Sequence, residues 1–292
     1  MKFKFIISFF ACLLLFGTEL SAQTKRAIVI GIGDYPKESG WRRINGHNDI
    51  EIITTTLNQY GFNNRNIQIL NDQQATKKAI ISAFENLIKN SAKGDIAYIH
   101  FSGHGQLITD LIGNQSNGFS EAWIPYDAQK RFVKGKYEGE NHLIDNEINA
   151  LLHRLRNAVG TNGDILVVVD ACHSGGSTRG EDENDDEVIA RGTIDRFVIP
   201  LATKPKPKAE NTTSWTTISA SQSFQTNFES RIDGKWFGSL SYAIFYNKDK
   251  FNGNSYFSIF EILKDKVNNL VRFPQTPVIE NESRTNLIFV NR

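Results

Sequence analysis

Short apolar runs that stop at glycine or an acid alternate with stretches of helical period, and this alternation narrows the possible folds most. RAIVIGIG, Arg26 to Gly33, is a β-branched run closed by glycine and reads as a buried strand. In NDIEIITTTLNQYGF, Ile50, Ile53, Leu57 and Tyr60 recur at helical spacing and Gly61 is a stop signal. NIQIL, Asn66 to Leu70, is a second strand, and TKKAIISAFENLIKN, Thr76 to Asn90, an amphipathic helix. DIAYIHF, Asp95 to Phe101, is a third strand. A loop-rich region to about Asn141 holds a short strand at AWIPYD, and Ile144 to Ala158 is a helix. DILVVVD, Asp164 to Asp170, is the most apolar strand. SWTTISAS, Ser214 to Ser221, is another, followed by helices at about Phe237 to Asn247 and Ser258 to Val271 and a last strand at NLIFV. Near-continuous apolar strands joined through helices predict an α/β layered fold, with a mostly parallel central sheet flanked by helices. Chemistry in such sheets collects beyond the carboxyl ends of the strands, and two runs sit there, SGHG and DACHSGG.

The first residues read differently. Lys2 and Lys4 precede an apolar run from Phe5 to Phe16, then small residues at Ser21 and Ala22. That layout predicts a secretory signal peptide over residues 1–23, and hence a secreted or periplasmic protein. The run is short for a membrane span, so a membrane partner is expected only if this leader stays uncleaved. Residues 24–292 then form one domain, interrupted by a flexible loop over about 176–213 whose acidic block, Glu181 to Glu187, repels itself and stays solvated. The formal net charge of +1 supplies no bulk attraction for nucleic acid. Of the two cysteines, Cys12 lies in the leader, which leaves Cys172 alone in the mature chain. A solitary cysteine in an exported protein is a buried thiol or a reactive one.

Three chemistries lack their motifs. GIGDYP has Pro36 where a dinucleotide fingerprint needs its third glycine. No C-x-x-C or H-E-x-x-H supports zinc. Ser174 has no G-x-S-x-G around it. A cysteine nucleophile needs a base, and His173 is badly placed, since adjacent side chains on an extended chain point to opposite faces. His104, between two glycines at the end of a different strand, reaches Cys172 if the two strands are neighbours, about 5 Å apart. An inert buried thiol and a turn-filling histidine remain the alternatives at this point.

HFSGHG together with VVVDACHSGG resembles the caspase-like cysteine peptidases of the metacaspase and bacterial caspase-homologue branch. RAIVIGIGDY, GHNDIEIITTTLNQYGF and WTTISASQSFQTNFE extend the resemblance over essentially all of the mature chain. The resemblance implies a caspase-like fold, His104 as general acid and base, Cys172 as nucleophile, and the amides of Gly105 and Cys172 as the oxyanion hole. It also implies cleavage after Arg or Lys, with Asp49, Ser102 and Asp170 lining the pocket, because two carboxylates in a narrow site favour a guanidinium or ammonium. Asp49 also reads as a helix-start acid. Arg179, Arg191 and Arg196 are self-cleavage candidates for such an enzyme.

No metal ligands are assigned and no cofactor is required. Calcium is left open, because the region after H-G keeps Asp110 and Glu121 but has Ser120 where an acid is common in calcium-dependent relatives. A catalytically silent scaffold of the same fold, and a self-processing or transpeptidating protein, are the competing readings.

Overall fold

The computed structural model describes residues 23–113, 115–172, 188–200, 214–280 and 289. In chain order the first half contains β1 (Lys25–Gly31), α1 (Asp49–Gln59), β2 (Ile67–Asn71), α2 (Lys77–Asn90), β3 (Ile96–Ser102), β4 (Gly105–Thr109) and β5 (Phe119–Trp123). The second half contains β6 (Leu143–Ile144), α3 (Asp145–Val159), β7 (Asp164–Asp170), β8 (Thr216–Ser219), β9 (Glu229–Ile232), β10 (Lys235–Gly238), α4 (Ser239–Tyr246), α5 (Tyr256–Leu270) and β11 (Val278–Glu280). The central sheet runs β11-β8-β7-β3-β1-β2, parallel throughout except for β11 at one edge. This is the α/β layered arrangement expected from the alternation, and it fits the caspase-like fold that the resemblance implies.

The period of two along each strand explains why these runs are apolar without a break. Ile28, Ile30, Ile99, Phe101, Val167 and Val169 face one side, where α2 and α3 lie. Ala27, Val29, Tyr98, Leu166 and Val168 face the other, where α1, α4 and α5 lie. Both faces are covered, so a polar residue in the middle of the sheet needs partners, as His100 has in the hydroxyls of Tyr98 and Ser241, each at 3.0 Å. On α2, Ile80, Ala83, Phe84 and Leu87 form the buried stripe, and Thr76 caps the helix by accepting from the Ala79 amide at 3.2 Å. Burying a ring such as Phe84 contributes about 1.5–3 kcal/mol.

Several elements differ from expectation. Phe237 and Gly238 belong to β10, and α4 begins only at Ser239. The hairpin of β9 and β10 carries Ser230 and Arg231, polar residues that mask the strand period. The strand expected over AWIPYD starts earlier, at Phe119, and pairs with β4 and β6 in a separate small sheet. NLIFV lies almost wholly outside the described residues. Residues 188–200, inside the stretch expected to be a flexible loop, are instead seated against β4 and β9.

Candidate active site

β3 and β7 are direct neighbours, with Ser102 in register with Asp170. The chain runs two residues past each strand end before it reaches His104 and Cys172, and the Gly103 amide continues the ladder to the Asp170 carbonyl at 3.4 Å. Adjacency, the condition on which the pairing of His104 with Cys172 depended, is therefore met. His173 and Ser174 lie outside the described residues.

His104 is held on three sides. Its Nε2 donates to the Arg42 carbonyl at 2.8 Å, which leaves Nδ1 as the nitrogen with the lone pair, and among the described residues no hydrogen bond reaches it. Trp41 stacks on the ring at 4.8 Å and Tyr35 tilts against it at 5.0 Å. Tyr35 also accepts from the His104 amide at 3.0 Å and donates to the Ile124 carbonyl at 2.9 Å. Burial lowers the His104 pKa to about 3, so the ring is neutral at ordinary pH. Cys172 is buried, and its Sγ donates to the Gln225 carbonyl at 2.9 Å.

Asp49, Ser102 and Asp170 converge, as expected, and what they converge on is Arg191. Its Nη1 meets Asp49 Oδ2 at 2.7 Å, donates to Ser102 Oγ, and donates to the Asp170 carbonyl at 3.3 Å. Asp170 Oδ1 is 3.6 Å from the same nitrogen. Ser102 Oγ in turn donates to Asp49. A further carboxylate, which the sequence did not single out, takes the other edge of the guanidinium: Glu229 Oε1 accepts from Arg191 Nε at 3.0 Å. Glu229 is held by Asn45, whose amide and side chain donate to its two oxygens at 2.7 and 2.6 Å. Arg191, Asp49, Ser102 and Asp170 are fully buried.

The pocket stands where the amino ends of α1 and α4 meet the carboxyl ends of β3 and β7. Helix starts carry unsatisfied N–H groups, and here carboxylates take them up. The Gly238 amide donates to Asp49 Oδ1 at 3.0 Å, and the Ser241 amide and hydroxyl donate to Asp170 Oδ2 at 2.7 and 2.6 Å. Asn227 donates to Asp170 Oδ1 at 2.8 Å. Burial pushes the Asp170 pKa up, but Arg191 and the bonds from Ser241 and Asn227 outweigh it and leave the carboxyl below its usual range. Burial dominates at Asp49 and raises it to about 6 against the pull of Arg191. Asp49 is thus the first residue of α1 and a pocket acid at once. A β-carbon at Gly238 would stand 2.2 Å from Asp170 Oδ2 and 2.4 Å from Arg191 Nη1, so only glycine leaves room for the guanidinium.

Arg191 enters as a peptide rather than as an isolated side chain. Its amide donates to the Asn227 carbonyl at 2.9 Å, and the Glu229 amide donates to the Ile189 carbonyl at 2.8 Å, so residues 189–191 pair antiparallel with 227–229. The Arg191 carbonyl accepts from the Cys172 amide at 2.7 Å. Gly192 forms a parallel bridge with Gly105. A β-carbon at Gly192 would meet the Cys172 carbonyl at 2.3 Å and its Cβ at 2.9 Å, so the backbone here lies directly on the cysteine. The peptide bond between Arg191 and Gly192 thus lies against Cys172.

Of the other arginines expected to be cut, Arg179 lies outside the described residues. Arg196 lies away from the pocket, with its guanidinium 4.6 Å over the Phe119 ring. Asp110, kept open as a calcium ligand, accepts from the amides of Ile112, Gly113 and Gln115 at 2.8–2.9 Å and organises its own loop. Among the described residues, Asp34, His47 and Asp72 bring three ligand atoms within 4.8 Å of one another, outside the cleft. Asp34 is paired with Arg43 at 2.6 Å, and Asp72 accepts from the amides of Gly33 and Asp34.

The model of the caspase domain family matches residues 24–289. Metacaspase-1A of Aspergillus fumigatus is 25% identical over 310 residues, covering 91% of this chain and 71% of that protein. Metacaspase-1B of the same species is 31% identical over 159 residues, covering 52% of this chain and 35% of that one. A solved structure from Geobacter sulfurreducens superposes with a TM-score of 0.61 at 22% identity, covering 92% of this chain and 97% of that one, and it shares the fold.

Proposed function

Because this chain belongs to the caspase domain family and is a cysteine endopeptidase, we propose that it cuts peptide bonds after arginine or lysine through His104 and Cys172, and that its own Arg191–Gly192 bond is its first substrate. The observation that carries this reading is the seat of Arg191. Its side chain is enclosed by Asp49, Asp170 and Glu229 while its carbonyl oxygen sits on the Cys172 amide at 2.7 Å.

The chemistry follows from these positions. His104 Nδ1 takes the thiol proton, and Cys172 Sγ attacks the carbonyl carbon of the arginine. The oxyanion that forms is held by the Cys172 amide, with the Gly105 amide as the second donor. His104 then hands its proton to the departing nitrogen, the C–N bond breaks, and a thioester remains. Water, deprotonated by the same ring, clears the thioester and restores the thiol. Arg42 acts through its backbone, keeping a proton on Nε2 so that Nδ1 remains the working nitrogen.

The pocket favours arginine over lysine. A guanidinium presents Nε to Glu229 and Nη1 to Asp49 at the same time, whereas an ammonium offers one nitrogen to both. Residues 188–199 fill the cleft of the intact chain, so the uncut protein competes with outside substrates for its own site. Export, carried by the expected leader over residues 1–23, belongs to the same proposal.

The deciding experiment incubates the purified chain beside a Cys172→Ala variant and reads new amino termini by mass spectrometry. A terminus at Gly192 in the wild type alone supports the reading. A preference for aspartyl over arginyl reporter peptides would sink the pocket assignment.

A further inference from the structure

The pocket and the cysteine account for the chain up to Arg191, but the segment beyond it is held as closely. Residues 192–199 run parallel to β4, with a bulge between the bridges Gly105 to Gly192 and Ile108 to Phe197. The Phe197 amide donates to the Leu107 carbonyl at 2.8 Å, and the Thr109 amide donates to the Phe197 carbonyl at 3.0 Å. Thr193 and Phe197 turn inward, Ile194, Arg196 and Val198 are exposed, and Asp195 lies half-exposed beside Lys130.

Two of these positions, Asp195 and Phe197, meet partners on the protein. Asp195 Oδ2 lies 3.3 Å from Lys130 Nζ, and the Asp195 carbonyl accepts from Gln106 Nε2 at 3.0 Å. Phe197 is buried among aromatic rings, 4.4 Å from His142 and edge-on to Tyr137 at 5.8 Å. That enclosure is rigid in its own right. His142 is hydrogen-bonded to the Tyr137 hydroxyl at 2.9 Å through one nitrogen and to Gln106 Oε1 at 2.9 Å through the other. Gln106 is fully buried, so one side chain ties the acid's backbone to the ring enclosure.

We propose that the leaving-group side of the cleft is a second recognition groove, which selects substrates carrying a carboxylate four residues and an aromatic ring six residues after the scissile bond. Lys130 reads the acid, and the enclosure of Tyr137, His142 and Phe132 reads the ring. The backbone pairs with the free edge of β4, as extended peptides do when they add a strand to a sheet. This inference rests on the cleavage reading above, and it adds a substrate class defined on both sides of the cut bond.

The test uses the self-processed mature chain and internally quenched peptides. All carry Val-Ile-Ala-Arg on the acyl side. One continues Gly-Thr-Ile-Asp-Ala-Phe, with alanine replacing the second arginine. The others change its fourth residue to asparagine or its sixth to glycine. A short arginyl reporter runs in parallel. The first peptide is expected to exceed the glycine peptide by about tenfold or more in kcat/KM, in line with the burial of one aromatic side chain, and the asparagine peptide by about two- to fivefold, in line with one partly exposed ion pair. In Lys130→Glu, the ratio between the aspartate and asparagine peptides is expected to invert, whatever happens to the absolute rate. Equal rates for all peptides with a hydrolysed reporter overturn the groove and leave the cleavage reading standing. Failure to cut the reporter as well overturns both.

Discussion

The backbone amide of Cys172 donates to the carbonyl oxygen of Arg191 at 2.7 Å. An amide aimed at that oxygen is what stabilises the charge formed during acyl transfer. The same arginine has its side chain locked among acids, so both ends of one residue are held as the reaction requires.

The first consequence is a specific cut. Incubated wild-type chain is expected to yield a fragment beginning at Gly192, and Arg191→Gln is expected to stay whole at that bond. Arg196 faces Phe119 rather than the pocket, so no fragment beginning at Phe197 is expected from the same chain. Intact-mass measurement over a time course checks all three.

The three carboxylates are expected to contribute unequally to substrate choice. Removing one partner of a buried, hydrogen-bonded charge pair costs about 2–4 kcal/mol, or about 30- to 1000-fold. Asp49→Asn is expected to lower kcat/KM on arginyl reporters within that range. Glu229→Gln is expected to do the same for arginine and less for lysine, because only the guanidinium uses its Nε. Reporter pairs differing only in Arg or Lys measure the ratio.

Acidification is expected to act on the pocket before it acts on the base. Asp49, raised to about 6 by burial, loses its charge as pH falls through that value. The kcat/KM for arginyl reporters follows the free enzyme, whose emptied pocket lacks the pull of Arg191, so it is expected to fall at or above that value, and Asp49→Asn is expected to remove that limb. His104, lowered to about 3 by burial, stays neutral, so kcat holds to lower pH than an ordinary imidazole allows. Because the folded value lies below the unfolded one, the His104 contribution to stability is lost as pH falls below about 6.5. Profiles of kcat and kcat/KM, with thermal unfolding across the same range, separate the effects.

Gly238→Ala is expected to close the pocket without unfolding the chain. Its β-carbon would lie within 2.4 Å of the guanidinium and closer still to Asp170. The expected result is a rise in KM for arginyl reporters of at least about tenfold, the scale of an overpacking cost of 1–3 kcal/mol. An unchanged KM in a folded variant counts against this pocket.

What the residues could disclose differs along the chain for physical reasons. The strands Lys25–Gly31, Ile96–Ser102 and Asp164–Asp170 were legible because a sheet covered on both faces forces continuous apolar runs. His104 and Cys172 were legible because they end two such runs in short motifs, and the resemblance gathered Asp49, Ser102 and Asp170 from local text as well. Glu229 was not, since it lies 59 positions beyond Asp170 on a hairpin strand without clear alternation. The Arg42 carbonyl was not, because a backbone oxygen has no letter of its own. Arg191 was readable only as one of several arginines near an acidic loop. Its selection over Arg179 and Arg196 depends on distances across the fold, where Asn227, Glu229 and Cys172 present donors and acceptors at the spacing of one extended peptide. Local sequence determined the parallel strands of the central sheet and which two side chains stand beyond the ends of two of them. Only tertiary packing decided which segment of the chain lies in the cleft, because that outcome depends on charges and amides brought together from separate elements, among them α1, β3, β7 and β9.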